Sequence, residues 1–232
     1  MSIPKYGARK SCDLCSIGDP MTIKLFLDKV KKNAPNNPQR GLVDLNTLLG
    51  YFKDKRIILV GNSNSLLSRN YGELIDSHDC VVRMNLGLVD PEKPNVFGRK
   101  THIWASGLSI HWKQKQGYSF FHDKCKHILL LSAHVNYNQL SFMLENGYTD
   151  SIENYIELVE RFQSKPSTGA MTINFLMNSI NNFSSLSLVG FDFFKTKTWY
   201  NPDDKYVPHN SNGNEEKFIK NHIESGRIAF HA

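Results

Sequence analysis

From Arg56 onward the chain alternates short apolar runs with longer amphipathic stretches. Ile57–Val60, Cys80–Met84, His102–Ala105, Ile128–Ser132 and Leu186–Val189 are short runs of mostly apolar residues, the pattern of strands covered on both faces. Tyr137–Asn146, Ile152–Phe162, Ala170–Ile180 and Glu215–Ser225 are longer and predict helices. Strands alternating with helices predict an α/β fold: a mostly parallel sheet with helices on both faces.

The first 55 residues follow a different pattern. Met1–Gly18 has no periodicity and reads as an arm, and Asp19-Pro20 then supplies an N-cap followed by proline at the first helical position. Ile23, Phe26, Leu27 and Val30 fall on one helical face. Asn33–Gly41 is a Pro/Asn-rich linker, after which Leu42, Leu45, Leu48, Leu49 and Phe52 predict a second helix. The expected organisation is an N-terminal arm and helical extension over residues 1–55 and one catalytic-sized α/β domain over 56–232.

Composition narrows the function classes. The 232 residues are 40% apolar and 22% charged, values ordinary for a soluble globular protein, with a net charge of +6. The basic residues are dispersed and do not interleave with aromatics, so nucleic acid is not an expected partner. No apolar stretch has the length of a membrane span or signal peptide, which predicts a cytoplasmic protein or one peripheral at a membrane surface. Cys12-Asp-Leu-Cys15 is a lone CxxC without a second pair for zinc, and Cys80 lies in an apolar run. A reducing compartment is the default expectation.

Candidate chemistry gathers in two segments, Arg56–Gly87 and Lys165–Phe194. The first strand ends in Gly61-Asn62-Ser63-Asn64-Ser65. In an open parallel sheet, ligands bind beyond the carboxyl ends of strands, where loops lead into helix starts. Gly61 permits close backbone approach, and Asn62 offers both a donor and an acceptor. Asn85, closing the second strand in Arg83-Met84-Asn85, could bond a base or sugar, or could simply terminate its own strand. Arg83 is either a ligand contact or a buried structural group. In Pro166-Ser167-Thr168-Gly169, proline rigidifies the approach to a helix start, Ser167 or Thr168 can cap it, and the unpaired first-turn amides suit a phosphate. His209, in Pro208-His209-Asn210 with Glu215 and Glu216 downstream, is the histidine placed to act as a general base near neutral pH. His78, His102, His127 and His222 fall in a turn, at strand starts and in a helix. Together these features point to a divided nucleotide crevice and a nucleotide-sugar enzyme.

The same residues resemble the sialyltransferases that carry large, small and very-small sialyl motifs. Leu59-Val60-Gly61-Asn62-Ser63, Tyr71-Gly72, Asp76-Ser77-His78-Asp79, Arg83-Met84-Asn85 and Gly98-Arg99-Lys100-Thr101 match the large motif in order. Pro166–Gly169 and Val189-Gly190-Phe191 match the small one. The resemblance spans roughly Arg56 to Ser225. It implies a Rossmann-like, single-domain variant of the glycosyltransferase A type and inverting, metal-independent transfer of sialic acid from CMP-sialic acid to a glycan hydroxyl. No cofactor is implied beyond the donor, and no metal site. The donor-binding set it implies is Gly61, Asn62, Ser63, Asn85, Ser167, Thr168 and Gly169. His209 is implied as the base, and Tyr200, beside Trp199, as a contact to the leaving phosphate.

Three departures from the family pattern stand out. The cysteine pair joining the large and small motifs is missing, since no Cys lies near Arg56 or within Thr172–Ser185. The His-x4-Glu spacing is shifted, because position 214 is Asn and the acids are Glu215 and Glu216. The preceding motif usually contains a histidine, and Tyr200 is the nearest candidate in this chain. With no membrane anchor or stem in the chain, a soluble bacterial or viral-type enzyme is the expected member. CMP-Kdo as donor, or a non-catalytic nucleotide- or glycan-binding domain of the same fold, are the competing readings. No Asp-x-Asp motif for a divalent metal occurs in the chain.

Overall fold

The computed structural model describes residues 24–25, 27–28, 43–87, 89–90, 92–107, 125–131, 147–200 and 213–232. Within them a seven-stranded sheet runs in the order β5-β4-β3-β2-β1-β6-β7. The strands are β1 (Arg56–Val60), β2 (Cys80–Met84), β3 (Ile103–Ser106), β4 (His127–Leu130), β5 (Gly147–Thr149), β6 (Ser185–Val189) and β7 (Ala229–His231). Every pairing is parallel. β1 is central: the chain lays β2 to β5 out on one side of it, then crosses over to place β6 and β7 on the other. The order therefore reverses between β1 and β6, and such a reversal opens a crevice beyond the strand ends.

Alternate residues of the central strands feed opposite layers, as the two-residue period of a strand requires. Ile57 and Leu59 of β1, with Cys80 and Val82 of β2, join the larger core. Ile58, Val60 and Val81 join the smaller one, beneath Leu66, Tyr71, Ile75 and Phe97. Both faces being dry explains why these strands read as continuous apolar runs instead of alternating ones.

The helices are α1 (Leu45–Phe52), α2 (Gly72–Asp76), α3 (Pro94–Phe97), α4 (Ile152–Phe162), α5 (Thr168–Asn174) and α6 (Asn214–Glu224). Polar caps start three of them: Asp44, Ser151 and Ser167 accept from the amides of Thr47, Asn154 and Ala170 at 2.7, 3.2 and 3.0 Å. Leu48 and Phe52 of α1 are fully buried in the larger core. On α4, Tyr155, Leu158, Val159 and Phe162 form the buried stripe. The helix predicted over Ala170–Ile180 starts two residues earlier and changes character. α5 passes into a π-helical turn, Phe175–Ile180, ending at Asn181 in a left-handed conformation with φ 42°.

Each predicted strand is present with its ends moved by at most two residues. β5 and β7 escaped the pattern because three residues are too few to show a period, and α2, α3 and a 3-10 turn at Asn64–Ser68 are too short to show a stripe. Of the predicted first helix, Lys24, Leu25, Leu27 and Asp28 are described and helical. The predicted helix Tyr137–Asn146 lies outside the described residues.

Candidate donor crevice

The carboxyl ends of β1, β2, β3 and β6 and the start of α5 converge at one edge of the sheet. Asn85, just past β2, is the hub. It adopts φ 50°, a left-handed conformation that asparagine tolerates better than most residues. Its Nδ2 donates to Thr168 Oγ1 at 3.1 Å, and its Oδ1 accepts from the Gly107 amide at 3.2 Å. The Asn85 carbonyl accepts from Trp104 Nε1 at 2.9 Å. One side chain thus ties β2 to the end of β3 and to α5. A Cβ on Gly107 would stand 2.6 Å from Thr168 Oγ1, so glycine is required for this approach.

Asn62 lies one strand over. Its Nδ2 donates to the Met84 carbonyl at 3.0 Å, and its backbone carbonyl accepts from the Trp199 amide at 3.1 Å. The Oδ1 is buried and has no hydrogen-bond partner. It packs against Gly87, where a Cβ would stand 2.0 Å away. A buried acceptor left unpaired is uncommon and costly.

Gly61 meets protein. Its amide donates to the Val189 carbonyl at 2.7 Å, and a Cβ would lie 2.1 Å from the Gly190 carbonyl oxygen and 2.8 Å from the Phe191 ring. Phe191 also fills the space beside Gly169, 2.9 Å from where a Cβ would sit. Phe191 is therefore a wedge between the β1 loop and the α5 start, and both glycines make room for it. Ser63 donates its amide to the Gly190 carbonyl at 3.1 Å, and its hydroxyl meets that of Ser65.

Ser167 caps α5 and is itself held by Glu215 of α6. The Glu215 carboxylate accepts from the Ser167 amide at 3.1 Å and from its hydroxyl. Glu215 is only 4% exposed, and burial pushes its carboxyl pKa upward against the opposing effect of the Ser167 bonds. Glu216, next in sequence, is partly exposed and pairs with Lys220 at 2.9 Å. The structure thereby separates two acids that are adjacent in sequence: one is an internal clamp, the other a surface ion pair.

Trp199 and Tyr200 sit beside the β1 loop. The Trp199 ring contacts Phe97 at 4.4 Å and Tyr200 at 5.4 Å between centroids. Eight of the nine predicted site residues, Gly61, Asn62, Ser63, Asn85, Ser167, Thr168, Gly169 and Tyr200, belong to this one edge. The ninth, His209, lies outside the described residues. Arg83 resolves to the structural alternative. It is buried and donates to the carbonyls of Phe97 and Lys100 and to Thr101 Oγ1, and burial lowers its pKa to about 10. Asp76 holds the other side of that loop by accepting from the amides of Arg99 and Lys100. His78 is also structural: it is buried, with Nδ1 2.8 Å from the Leu74 carbonyl and Nε2 3.1 Å from the Ser187 hydroxyl. Gly107, Trp104 and the Ser167–Glu215 pairing were not picked out from sequence, and Phe191 entered only as part of the small-motif match. Of the first group, only Glu215 carried a signal, its position shortly after His209 in sequence.

Comparison with known proteins then decides the family. The model of glycosyltransferase family 29 (sialyltransferase) matches residues 49–188, more than half of the chain and including the β1 loop, Asn85 and the α5 start. The chain belongs to glycosyltransferase family 29. No curated protein sequence matches it. A mammalian sialyltransferase crystal structure is similar at 17% identity, covering 97% of this chain and 86% of that one with a TM-score of 0.59. The mammalian enzyme in complex with Gal-beta-1-3GalNAc-ortho-nitrophenol is similar at 17% identity and TM-score 0.54, over 90% of this chain and 79% of that one. The sialyltransferase CST-II in complex with trisaccharide acceptor and CMP matches at 13% identity and TM-score 0.51, over 76% of this chain and 80% of that one. At such identities the likeness is one of fold. As a family 29 member the chain is a glycosyltransferase, and its two cores and parallel sheet are the family's α/β scaffold. Its described cysteines, Cys80 and Cys125, are free and buried.

Proposed function

We propose that this family 29 protein transfers sialic acid from CMP-sialic acid to a glycan hydroxyl, with inversion and without a bound metal ion. The observation that carries the reading is the Asn85–Thr168 bond, which joins the two motif segments beyond the carboxyl ends of β2 and β3. The nucleotide lies over that junction, with Asn62 and Asn85 on one side and Thr168 and Gly169 on the other. CST-II, whose fold is similar, is known in complex with CMP and a trisaccharide acceptor.

His209 deprotonates the acceptor hydroxyl as it attacks the anomeric carbon from the face opposite CMP. Positive charge develops on the sugar ring and negative charge on the departing phosphate. The amides of Thr168 and Gly169, which as first-turn groups have no intrahelical acceptor, and the Tyr200 hydroxyl meet that negative charge. Ser167 serves differently: its amide is directed to Glu215, so it shapes the cradle instead of touching the phosphate. A monophosphate leaving group needs less charge compensation than a diphosphate, which suits protein donors alone.

The test is His209→Ala, read as initial transfer rate beside CMP affinity. Loss of a general base should lower turnover by about 10²–10⁴-fold while CMP binding changes little. The His222→Ala control, on α6, should stay active. A fully active His209→Ala protein would remove this residue from the mechanism. Running the wild-type assay with CMP-Kdo beside CMP-sialic acid tests the identity of the donor.

A further inference from the structure

The turn after β6 is built from the wrong residues for its shape. Phe193 and Phe194 have φ values of 57° and 63°, and the Lys195 amide returns to the Asp192 carbonyl at 3.3 Å. Two successive positive φ values across such a four-residue closure are the signature of a mirror-image turn, whose central positions normally take Asn and Gly. Two phenylalanines there are strained, and strain of this kind persists where surrounding contacts hold it and function rewards it.

The surrounding contacts are present. The Asp192 carboxylate accepts from the Thr196 amide at 2.8 Å and from its hydroxyl. The Asn64 amide on the β1 loop donates to Thr196 Oγ1 at 3.0 Å and to the Lys197 carbonyl at 2.8 Å. Packing accounts for Phe193, whose ring stacks on Phe230 at 5.9 Å with the Lys220 ammonium 5.6 Å from its centroid. It does not account for Phe194, whose side chain is directed outward at 40% exposure. Leu67, on the hydrogen-bonded β1 loop, is 41% exposed. Two of the three exposed large hydrophobic residues among those described therefore sit on the hydrogen-bonded loops that follow β1 and β6.

We propose that the Phe194 ring is a stacking platform for a pyranose ring of the acceptor glycan, held rigidly by the Asp192–Thr196 turn on the loop that bonds to the Asn62-bearing β1 loop. This rests on the transferase reading above. An aromatic face accepts the C–H-rich face of a sugar ring, and a ring whose position is fixed before binding loses little freedom when the acceptor arrives.

The experiment compares wild type, Phe194→Gly and Phe194→Trp, using CMP-sialic acid and whichever acceptor wild type uses best in a glycan panel read by mass spectrometry. Glycine accepts a positive φ without strain, so Phe194→Gly should unfold at the same temperature as wild type or higher. Donor KM should be unchanged, and acceptor KM should rise about three- to tenfold. Phe194→Trp should restore the acceptor KM. An unchanged acceptor KM in Phe194→Gly overturns the inference, and so does a lower unfolding temperature accompanied by weaker donor binding, because the ring would then be structural. A wild-type protein that transfers to no glycan in the panel sinks the transferase reading, and this inference with it. An active wild type beside an unaffected Phe194→Gly sinks only the platform.

Discussion

Asn62 and Asn85 look alike in sequence, each an asparagine just past a parallel strand, yet their surroundings differ. Asn85 already uses both ends of its amide on Thr168 and Gly107. Asn62 leaves its Oδ1 unpaired. Asn85→Ala should therefore destabilise the fold by about 1–3 kcal/mol, from lost hydrogen bonds and a left-handed position that alanine tolerates poorly. Asn62→Ala loses only the bond to the Met84 carbonyl, so it should destabilise the fold less, by about 0.5–1.5 kcal/mol, and weaken CMP binding by about 0.5–1.5 kcal/mol. Thermal melts and calorimetry on both proteins check the pair, and the reverse pattern would reassign the two roles. Motif order alone makes both residues candidates. It could not separate them, because the difference lies in partners 22 and 83 positions away along the chain.

Among the secondary-structure elements, the clamp between α5 and α6 is the feature that joins the proposed donor cradle to the helix that follows His209 in sequence. A buried carboxylate whose pKa is raised binds its proton more tightly in the folded than in the unfolded state. The associated stability is complete below the unfolded value, near 4.5, and is lost as pH rises through the folded value. Glu215→Gln removes that titration. Wild type should gain most over Glu215→Gln at acid pH, with the difference narrowing toward neutrality; melts of both proteins at about pH 4.5, 6 and 7.5 measure it. A difference that widens with pH would mean that the Ser167 bonds outweigh burial. α4 and the β1 and β2 strands were legible because a stripe or a run of apolar residues repeats within them. β5, β7, α2 and α3 were not, since their existence depends on neighbouring elements that hold three to five residues in place.

At the level of the whole molecule, the parallel sheet brings the two motif segments, Arg56–Gly87 and Lys165–Phe194, to one edge, where the proposed mechanism assigns charge compensation to backbone amides and hydroxyls. Transfer activity should accordingly survive EDTA, as assayed by initial rate before and after chelation. Loss of turnover that magnesium or manganese restores would overturn the proposed leaving-group chemistry. Among the described residues no cluster of three or more His, Cys, Asp or Glu is arranged to hold a metal ion, and no helix is long and apolar enough to cross a membrane.

The sequence by itself determined the fold class, the positions of the central strands, and the two motif segments that belong together. These follow from local periodicity and from motif order, which are properties of neighbouring residues. Only the tertiary structure decided that Gly61 and Gly169 make room for Phe191, that Arg83 is a buried brace, and that Glu215 rather than Glu216 clamps Ser167. It also decided that Phe194 occupies a strained turn with its ring outward. Each of these depends on what a residue meets across space, and contacts between the ends of distant strands leave no period along the chain.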